Sequence, residues 1–456
     1  MNQLPPSLLN SLTSFPGFET EKFIAAHHES EKITSVRVNP FKPIHVFDEC
    51  EKVKWNPNAY YLPERPSFIT DPLFHAGCYY VQEASSMFLE HALKSSLDLN
   101  QALKILDLCA APGGKSTLIN SLMNTESLLV ANEVIKTRVP ALVENLSKWG
   151  TTNTIVTNSD PKHFSALPEY FDAIVVDAPC SGSGLFRKQN EAISQWSEEA
   201  VNICSQRQQR ILADILPSLK ENGLLIYSTC SYSVEENENI CDWICENTSL
   251  VSQSCQISKD WNIEETFSPQ HKASAYRFYP HKLKGEGFFM ACFVKKVSEG
   301  NRLSSLKGSI NTLSKQELAL LPDWLKLNQR LEFFKQDENI YLMQTAHVNE
   351  LQRLSNSLYI KKSGVEVGQI KGKDFIPHHQ LALSAFLTKD APEIELDLVQ
   401  AIQFLKKEEL KINSAEKGFH LVKFQGHGLG WVKILPNRVN NYLPKEWRIL
   451  KNIEEN

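Results

Sequence analysis

Between about residues 103 and 296 the chain alternates short apolar runs with amphipathic stretches, a pattern that admits few folds. The runs are Leu103 to Leu108, Leu128 to Asn132, Thr154 to Thr157, Ala173 to Val176 and Leu224 to Ser228, with Phe288 to Val294 as a late sixth. Strands apolar on both faces belong to a parallel sheet covered by helices on both sides. One helix is predicted between Ser197 and Asn222. Its residues Val201, Cys204, Ile211, Ile215 and Leu219 recur at helical spacing, acidic residues follow Ser197, and Gly223 stands at its end. The reading is an α/β, doubly wound, Rossmann-like domain.

The flanks read differently. Thr34 to Asn39 alternates as a strand and stops before Pro40, which disfavours continuation. Gly77 to Gln82 and a helix over Ala84 to Leu93 follow. After about residue 297 the alternation is lost. Ser298 to Ser309 is polar and reads as a linker. Leu358 to Ile360, Val365 to Ile370 and Phe419 to Phe424 are short apolar runs, parted by turn signals at Gly426-His427-Gly428 and Pro436-Asn437. A chain of 456 residues exceeds one core. The division expected is a small α+β domain over 1–95, the α/β domain over 96–297, a small intermediate domain over 310–380, and a β-rich domain over 381–456.

The net charge of −5 assigns any nucleic-acid contact to local patches. The first residues, MNQLPPSLLNSL, lack a basic segment followed by a long apolar run, and no stretch approaches the ~18 apolar residues of a membrane span. A cytoplasmic monomer is expected, with the ten cysteines as reduced thiols.

Three motifs fall just after strands, on the edge where such sheets bind ligands. The first is Asp107 to Ser116, DLCAAPGGKS, after the first strand. Gly113 and Gly114 let backbone approach a ligand that a Cβ would keep away. Position 110 is Ala, so the triphosphate-binding pattern is incomplete, and G-x-G-x-x-G is absent. Glu133, ending the second strand, suits the two hydroxyls of a ribose, and Asp160, after the third, suits an adenine amino group. Together these residues describe an adenosine-bearing ligand.

The other motifs are Asp177 to Gly184, DAPCSGSG, and Ser228 to Ser233, STCSYS. They place Cys180 and Cys230 on adjacent crevice loops. Ser233 and Glu236 have capping-box spacing, which predicts a helix start behind Cys230, and a helix N-terminus favours a thiolate. Most loop cysteines are structural; two beside a nucleotide crevice point to catalysis. The chemistry alone leaves open which of the two attacks.

CAAPGGKS, DAPCSGSG and STCSYSVEENE resemble the motifs of the Sun (Fmu) family of RNA cytosine-5 methyltransferases. SVRVNPF, GCYYVQEASSMF and RFYPHKLKGEGFFMACF extend the resemblance over roughly residues 30 to 296, with Glu286 where aspartate is expected. The tail segments SGVEVGQIKGKDFIPHHQLALSAF and GHGLGWVKILPNRVNNYLPKEWR resemble the bacterial 16S rRNA methyltransferase F branch, whose tail carries a PUA-like RNA-binding module.

The resemblance implies S-adenosyl-L-methionine as cofactor, held by Cys109, Ala110, Ala111, Pro112, Gly113, Gly114, Lys115, Glu133, Asp160 and Asp177. No metal is implied. It assigns attack on cytosine C6 to Cys230 and a later role in enzyme release to Cys180, with Asp177 at the cytosine amino edge or N3. Lys188 and Lys115 are the cations for the target base or backbone; Arg37, Gln82 and His281 are further substrate contacts. In the tail, Lys361, Lys362, Lys371, Lys373, Lys433, Arg438 and Lys445 are candidates for phosphates, and Trp431 or Tyr442 for base stacking. The implied substrate is 16S rRNA or the 30S subunit, with tRNA as runner-up. The rival from another class is a non-catalytic rRNA-binding assembly factor, marked by loss of a motif cysteine or of the glycine turn. All are present.

Overall fold

The computed structural model describes residues 3–28, 33–298, 300, 303, 308–325, 330–385, 387, 391–412 and 416–450. Much of the predicted linker (299, 301–302 and 304–307) lies outside the described residues.

The central sheet runs, edge to edge, Glu264–Phe267, Ser274–Phe278, Phe288–Lys295, Leu219–Thr229, Phe171–Asp177, Lys104–Asp107, Leu128–Asn132, Thr154–Thr157 and Ile360–Ser363. The five strands from Leu219–Thr229 to Thr154–Thr157 are parallel. All five residues of Leu128–Asn132 are buried, as expected of a strand covered on both faces. From Lys104–Asp107 the chain builds outward through Leu128–Asn132 and Thr154–Thr157. It then returns to the other side of Lys104–Asp107 for Phe171–Asp177 and Leu219–Thr229. Strand order thus reverses at Lys104–Asp107, and the crevice opens at its carboxyl end.

The predicted long helix is shorter than its pattern. Ser197 caps it, its hydroxyl accepting from the Ala200 amide at 3.1 Å, and Glu198 and Glu199 fill the first turn. It ends at Ile215 because Pro217 has no amide hydrogen to continue the ladder. Leu219 and Gly223 therefore belong to the next strand. Two other expectations are corrected similarly. Ala84 to Leu93 begins as a tight turn over Ser85–Phe88 before the helix Leu89–Ser96. His427 and Gly428 lie inside a strand, His427–Leu435, so the turn is confined to Gln425 and Gly426.

The N-terminal part forms a four-stranded antiparallel sheet in the order Glu51–Lys52, Ala59–Leu62, Thr34–Val38, Tyr79–Val81. The tail is β-rich, with one sheet of strands between Asn311 and Pro377 and another between Glu393 and Asn441. It is not a separate appendage. Ile360–Ser363, expected within the tail's own modules, pairs antiparallel with Thr154–Thr157 and extends the central sheet. Val36, Tyr60, Leu73 and Tyr79 from the N-terminal part share one apolar core with Leu396, Phe404, Val422 and Val432. Among the described residues no helix is long and apolar enough to cross a membrane.

Two tail expectations fail on burial. Trp431 is fully buried, stacked on Trp324 at 5.4 Å, and its indole N–H donates to the His378 carbonyl at 3.0 Å. It is core, not a base platform. Lys362 is buried with its ammonium on the Gly364 carbonyl, and burial pulls its pKa down to about 7. Lys433 lies over the Phe419 ring at 5.0 Å, and Tyr442 packs edge-on against the same ring at 4.9 Å. Lys361, Lys371, Lys373, Arg438 and Lys445 remain exposed.

Where the N-terminal part meets the tail, bases crowd together. His75, His378 and His379 lie among Lys42 and Lys148, and the Lys148 ammonium sits over the rings of Phe74 and Trp447. Burial lowers all three histidines, His75 and His378 to about 4. In the unfolded chain a histidine titrates near 6.5, so the unfolded state binds more protons between these values. The neutral rings thus contribute stability fully present above about pH 6.5 and lost as pH falls toward 4. Thermal midpoints measured across pH should be flat above pH 6.5 and fall below it, and His379→Gln should flatten that fall.

Candidate active site

At the carboxyl end of Lys104–Asp107 the chain turns through Leu108 to Gly113 into the helix Gly114–Leu122. Two backbone bonds pin the turn to its neighbouring strands: the Leu108 amide donates to the Val175 carbonyl at 2.9 Å, and the Ala110 amide to the Asn132 carbonyl at 2.8 Å. Gly113 has φ +116°, where side chains are strained, and a Cβ there would stand 3.3 Å from a Leu142 methyl. Behind the turn, Asp107 is fully buried and accepts from the Ser116 hydroxyl at 2.6 Å; burial pushes its carboxyl up to about 7.

The turn opens on a cleft of about 210 Å³ lined by Cys109 to Pro112, Gly114, Lys115 and Asp177. Its opposite wall is Tyr80 to Glu83 and Ser86, from the edge of the N-terminal sheet. The structure thus brings together most of the expected cofactor residues. Gly113, Glu133 and Asp160 stand outside this lining. The Glu133 carboxylate accepts from the Ile135 amide at 2.8 Å and lies 3.4 Å from Arg138, whose guanidinium also donates to the Ala111 carbonyl. Asp160 accepts from the Lys162 amide at 3.2 Å. Cys109 is held as a thiol by burial.

The two loop cysteines meet. Cys180 Sγ lies 3.1 Å from Cys230 Sγ. The hydrogen bond with Cys230, reinforced by burial, raises the Cys180 thiol well above its ordinary range, and either sulfur can donate in the pair. Asp177, ending the strand before Cys180, accepts from the Ser228 hydroxyl at 2.8 Å and pairs with the Lys115 ammonium at 2.8 Å. Burial works against the Lys115 charge, and Asp177 outweighs it.

Glu236 fixes the two loops against each other, and sequence reasoning misplaced it. Its carboxylate accepts from the Ser181 amide at 2.7 Å, the Ser181 hydroxyl at 2.6 Å and the Ser231 hydroxyl at 2.6 Å. It therefore does not reach back to cap Ser233, whose hydroxyl is buried without a partner. The expected capping box is absent: a short 3₁₀ turn, Val234–Glu236, comes first, and the predicted helix starts only beyond it, as Glu238–Asn247. The loops are also locked by backbone. The Gly184 amide donates to the Cys230 carbonyl at 2.9 Å, and a Cβ at Gly184 would stand 2.8 Å from that oxygen.

The remaining expected contacts divide. Arg37 is 1% exposed, and its guanidinium bonds Gln82, Ser121, the Gly114 carbonyl and Thr117. It is a clamp joining the N-terminal sheet to the glycine-turn helix, with four of the five guanidinium hydrogens committed inside the protein. Gln82 answers Arg37 and lines the cleft wall. His281 bonds the Gly17 carbonyl at 3.1 Å. Lys188 is exposed beside Gly285 and Glu286 in an adjoining cleft, outside the lining that holds Asp177. No group of three or more potential metal ligands occurs among the described residues.

Comparison with known proteins agrees with this geometry. Residues 94–294 match the model of the 16S rRNA methyltransferase RsmB/F family, residues 4–84 the N-terminal domain of 16S rRNA methyltransferase RsmF, and residues 391–449 the methyltransferase RsmF PUA domain. The chain is 30% identical over 438 residues to ribosomal RNA small subunit methyltransferase F of Aeromonas salmonicida, covering 90% of each protein. It is 31% identical over 386 residues to the protein of that name from Aeromonas hydrophila, covering 81% of this chain and 79% of the relative. A crystal structure of a methyltransferase homolog from Pyrococcus horikoshii superimposes with TM-score 0.51 at 29% identity, over 64% of this chain and all (100%) of that one. With the paired cysteines beside a glycine-turn cleft, and with matches in all three parts of the chain, the protein belongs to the ribosomal RNA small subunit methyltransferase F family.

Proposed function

We propose that the protein methylates C5 of a cytidine in small-subunit ribosomal RNA, using S-adenosyl-L-methionine, with Cys230 as nucleophile. The observation that carries this reading is the 3.1 Å pairing of Cys180 and Cys230 beside the glycine-turn cleft. The cleft fits an adenosine-bearing cofactor. Cys109 to Pro112 and Gly114 line it, and a Cβ at Gly114 would stand 3.2 Å from the Tyr80 ring on the facing wall.

Cytosine C5 is a weak nucleophile. Addition of the Cys230 thiolate to C6 forms a C–S bond and moves the ring's electron pair to C5, dividing one hard step into easier ones. When bound, S-adenosyl-L-methionine supplies the electrophilic methyl group that C5 requires. After methyl transfer C5 carries both its proton and the methyl group; with Cys180 assisting a base, that proton is removed, its electron pair restores the C5–C6 double bond, and the C6–S bond breaks to return the Cys230 thiolate. The Lys115–Asp177–Ser228 chain holds the Asp177 carboxylate oriented toward the base's amino edge. A cytidine inside a duplex cannot reach Cys230, so the target is single-stranded or extruded, at about a few kcal/mol. The PUA-domain match and the exposed tail cations support RNA as partner.

Cys230→Ala should abolish methyl transfer from labelled cofactor. Cys180→Ala should instead accumulate a covalent protein–RNA adduct on a denaturing gel; an adduct persisting in Cys230→Ala would reverse the roles. Assays on 30S subunits, naked 16S RNA and tRNA identify the substrate, and transfer to tRNA alone would overturn the ribosomal assignment. Glu236→Ala leaves the Ser181 amide and two hydroxyls without their acceptor, at a cost of about 2–4 kcal/mol in urea denaturation. It should also slow transfer while cofactor binding persists.

A further inference from the structure

The donor cleft does not end at the glycine turn. It shares Val81, Gln82 and Glu83 with a second cleft of about 100 Å³, which in turn meets a third, of about 650 Å³, at Ile33. The three adjoin one another at the seam where the N-terminal sheet meets the central domain. Most cations of the outer part are already committed. Lys282 pairs with Glu264, Lys284 with Glu51, and Arg187 faces Glu286 at 3.9 Å. Two are not. Arg65 and Lys188 line the second cleft beside Glu83 and Glu286; both cations are exposed, and neither has a carboxylate within ion-pair distance among the described residues, Lys188 acting on Glu286 only at longer range. Arg65 is held in place over the Phe68 ring at 5.4 Å.

In a chain of net charge −5, two exposed cations without an ion pair in the cleft next to the donor cleft are a local exception. A strand whose target base sits at Cys230 must continue away from the active site, and its phosphates require cations at the next position. We infer that Arg65 and Lys188 bind a backbone phosphate of single-stranded RNA next to the target cytidine, the strand following this seam outward. The inference rests on the proposed RNA substrate and adds the path of the strand.

The test uses the full chain with Arg65→Ala, Lys188→Ala and the double variant, assayed on the RNA that the unaltered protein methylates. Both side chains are exposed, so folding should be unaffected. The double variant should raise the KM for RNA about tenfold, and each substitution should reduce the slope of log affinity against log salt by about one. The KM for the methyl donor should stay unchanged, since neither residue lines the donor cleft. A double variant with unaltered RNA KM and salt slope would overturn this inference and leave the proposed function standing. Failure of the unaltered protein to methylate any RNA would overturn both.

Discussion

Loops leaving neighbouring parallel strands are joined only at their roots, and their tips diverge unless something buried holds them. In this chain the Glu236 carboxylate does so, drawing Ser181 from one loop and Ser231 from the other onto its two oxygens. Each of those serines is the immediate neighbour of a cysteine. The sulfur–sulfur distance therefore follows from a carboxylate that never touches substrate. Burying that charge is tolerable because the donors replace its water shell. The same logic operates at the other wall. The Arg37 guanidinium, buried and satisfied on both sides, fixes the N-terminal sheet against the glycine-turn helix and so sets the width of the donor cleft.

Two features usually treated as separate are physically continuous here. The β-rich tail contributes a strand to the edge of the central sheet and shares an apolar core with the N-terminal part. The Asn158 amide, on the loop after Thr154–Thr157, donates to the Tyr359 carbonyl at 2.9 Å. The loop that carries Asp160 is thus supported by the tail, which joins the central domain here as well as through its added strand.

The central domain was legible because both of its signals are strong. Runs such as LLVAN and AIVV are apolar on both faces, and glycine and cysteine motifs sit where those runs end. What sequence reasoning misread depended on tertiary contacts. Glu236 has capping-box spacing from Ser233, yet longer-range donors in another loop win it. Leu219 continues a helical stripe in sequence, but Pro217 has already stopped the helix. Trp431 and Lys362 look like surface groups by type, and only the packing of the tail reveals them as buried. Arg37 likewise resembles a substrate contact until its four partners are seen.

The central claim is that one sulfur of the pair bonds to the pyrimidine ring. RNA carrying 5-fluorocytidine tests it directly, because fluorine at C5 cannot leave as a proton does and the addition product is trapped. Digestion of that complex and mass mapping should find the nucleotide on the peptide containing Cys230, with Cys180 unmodified. A nucleotide mapped to Cys180, or no covalent complex with an RNA that the protein otherwise methylates, would contradict the account.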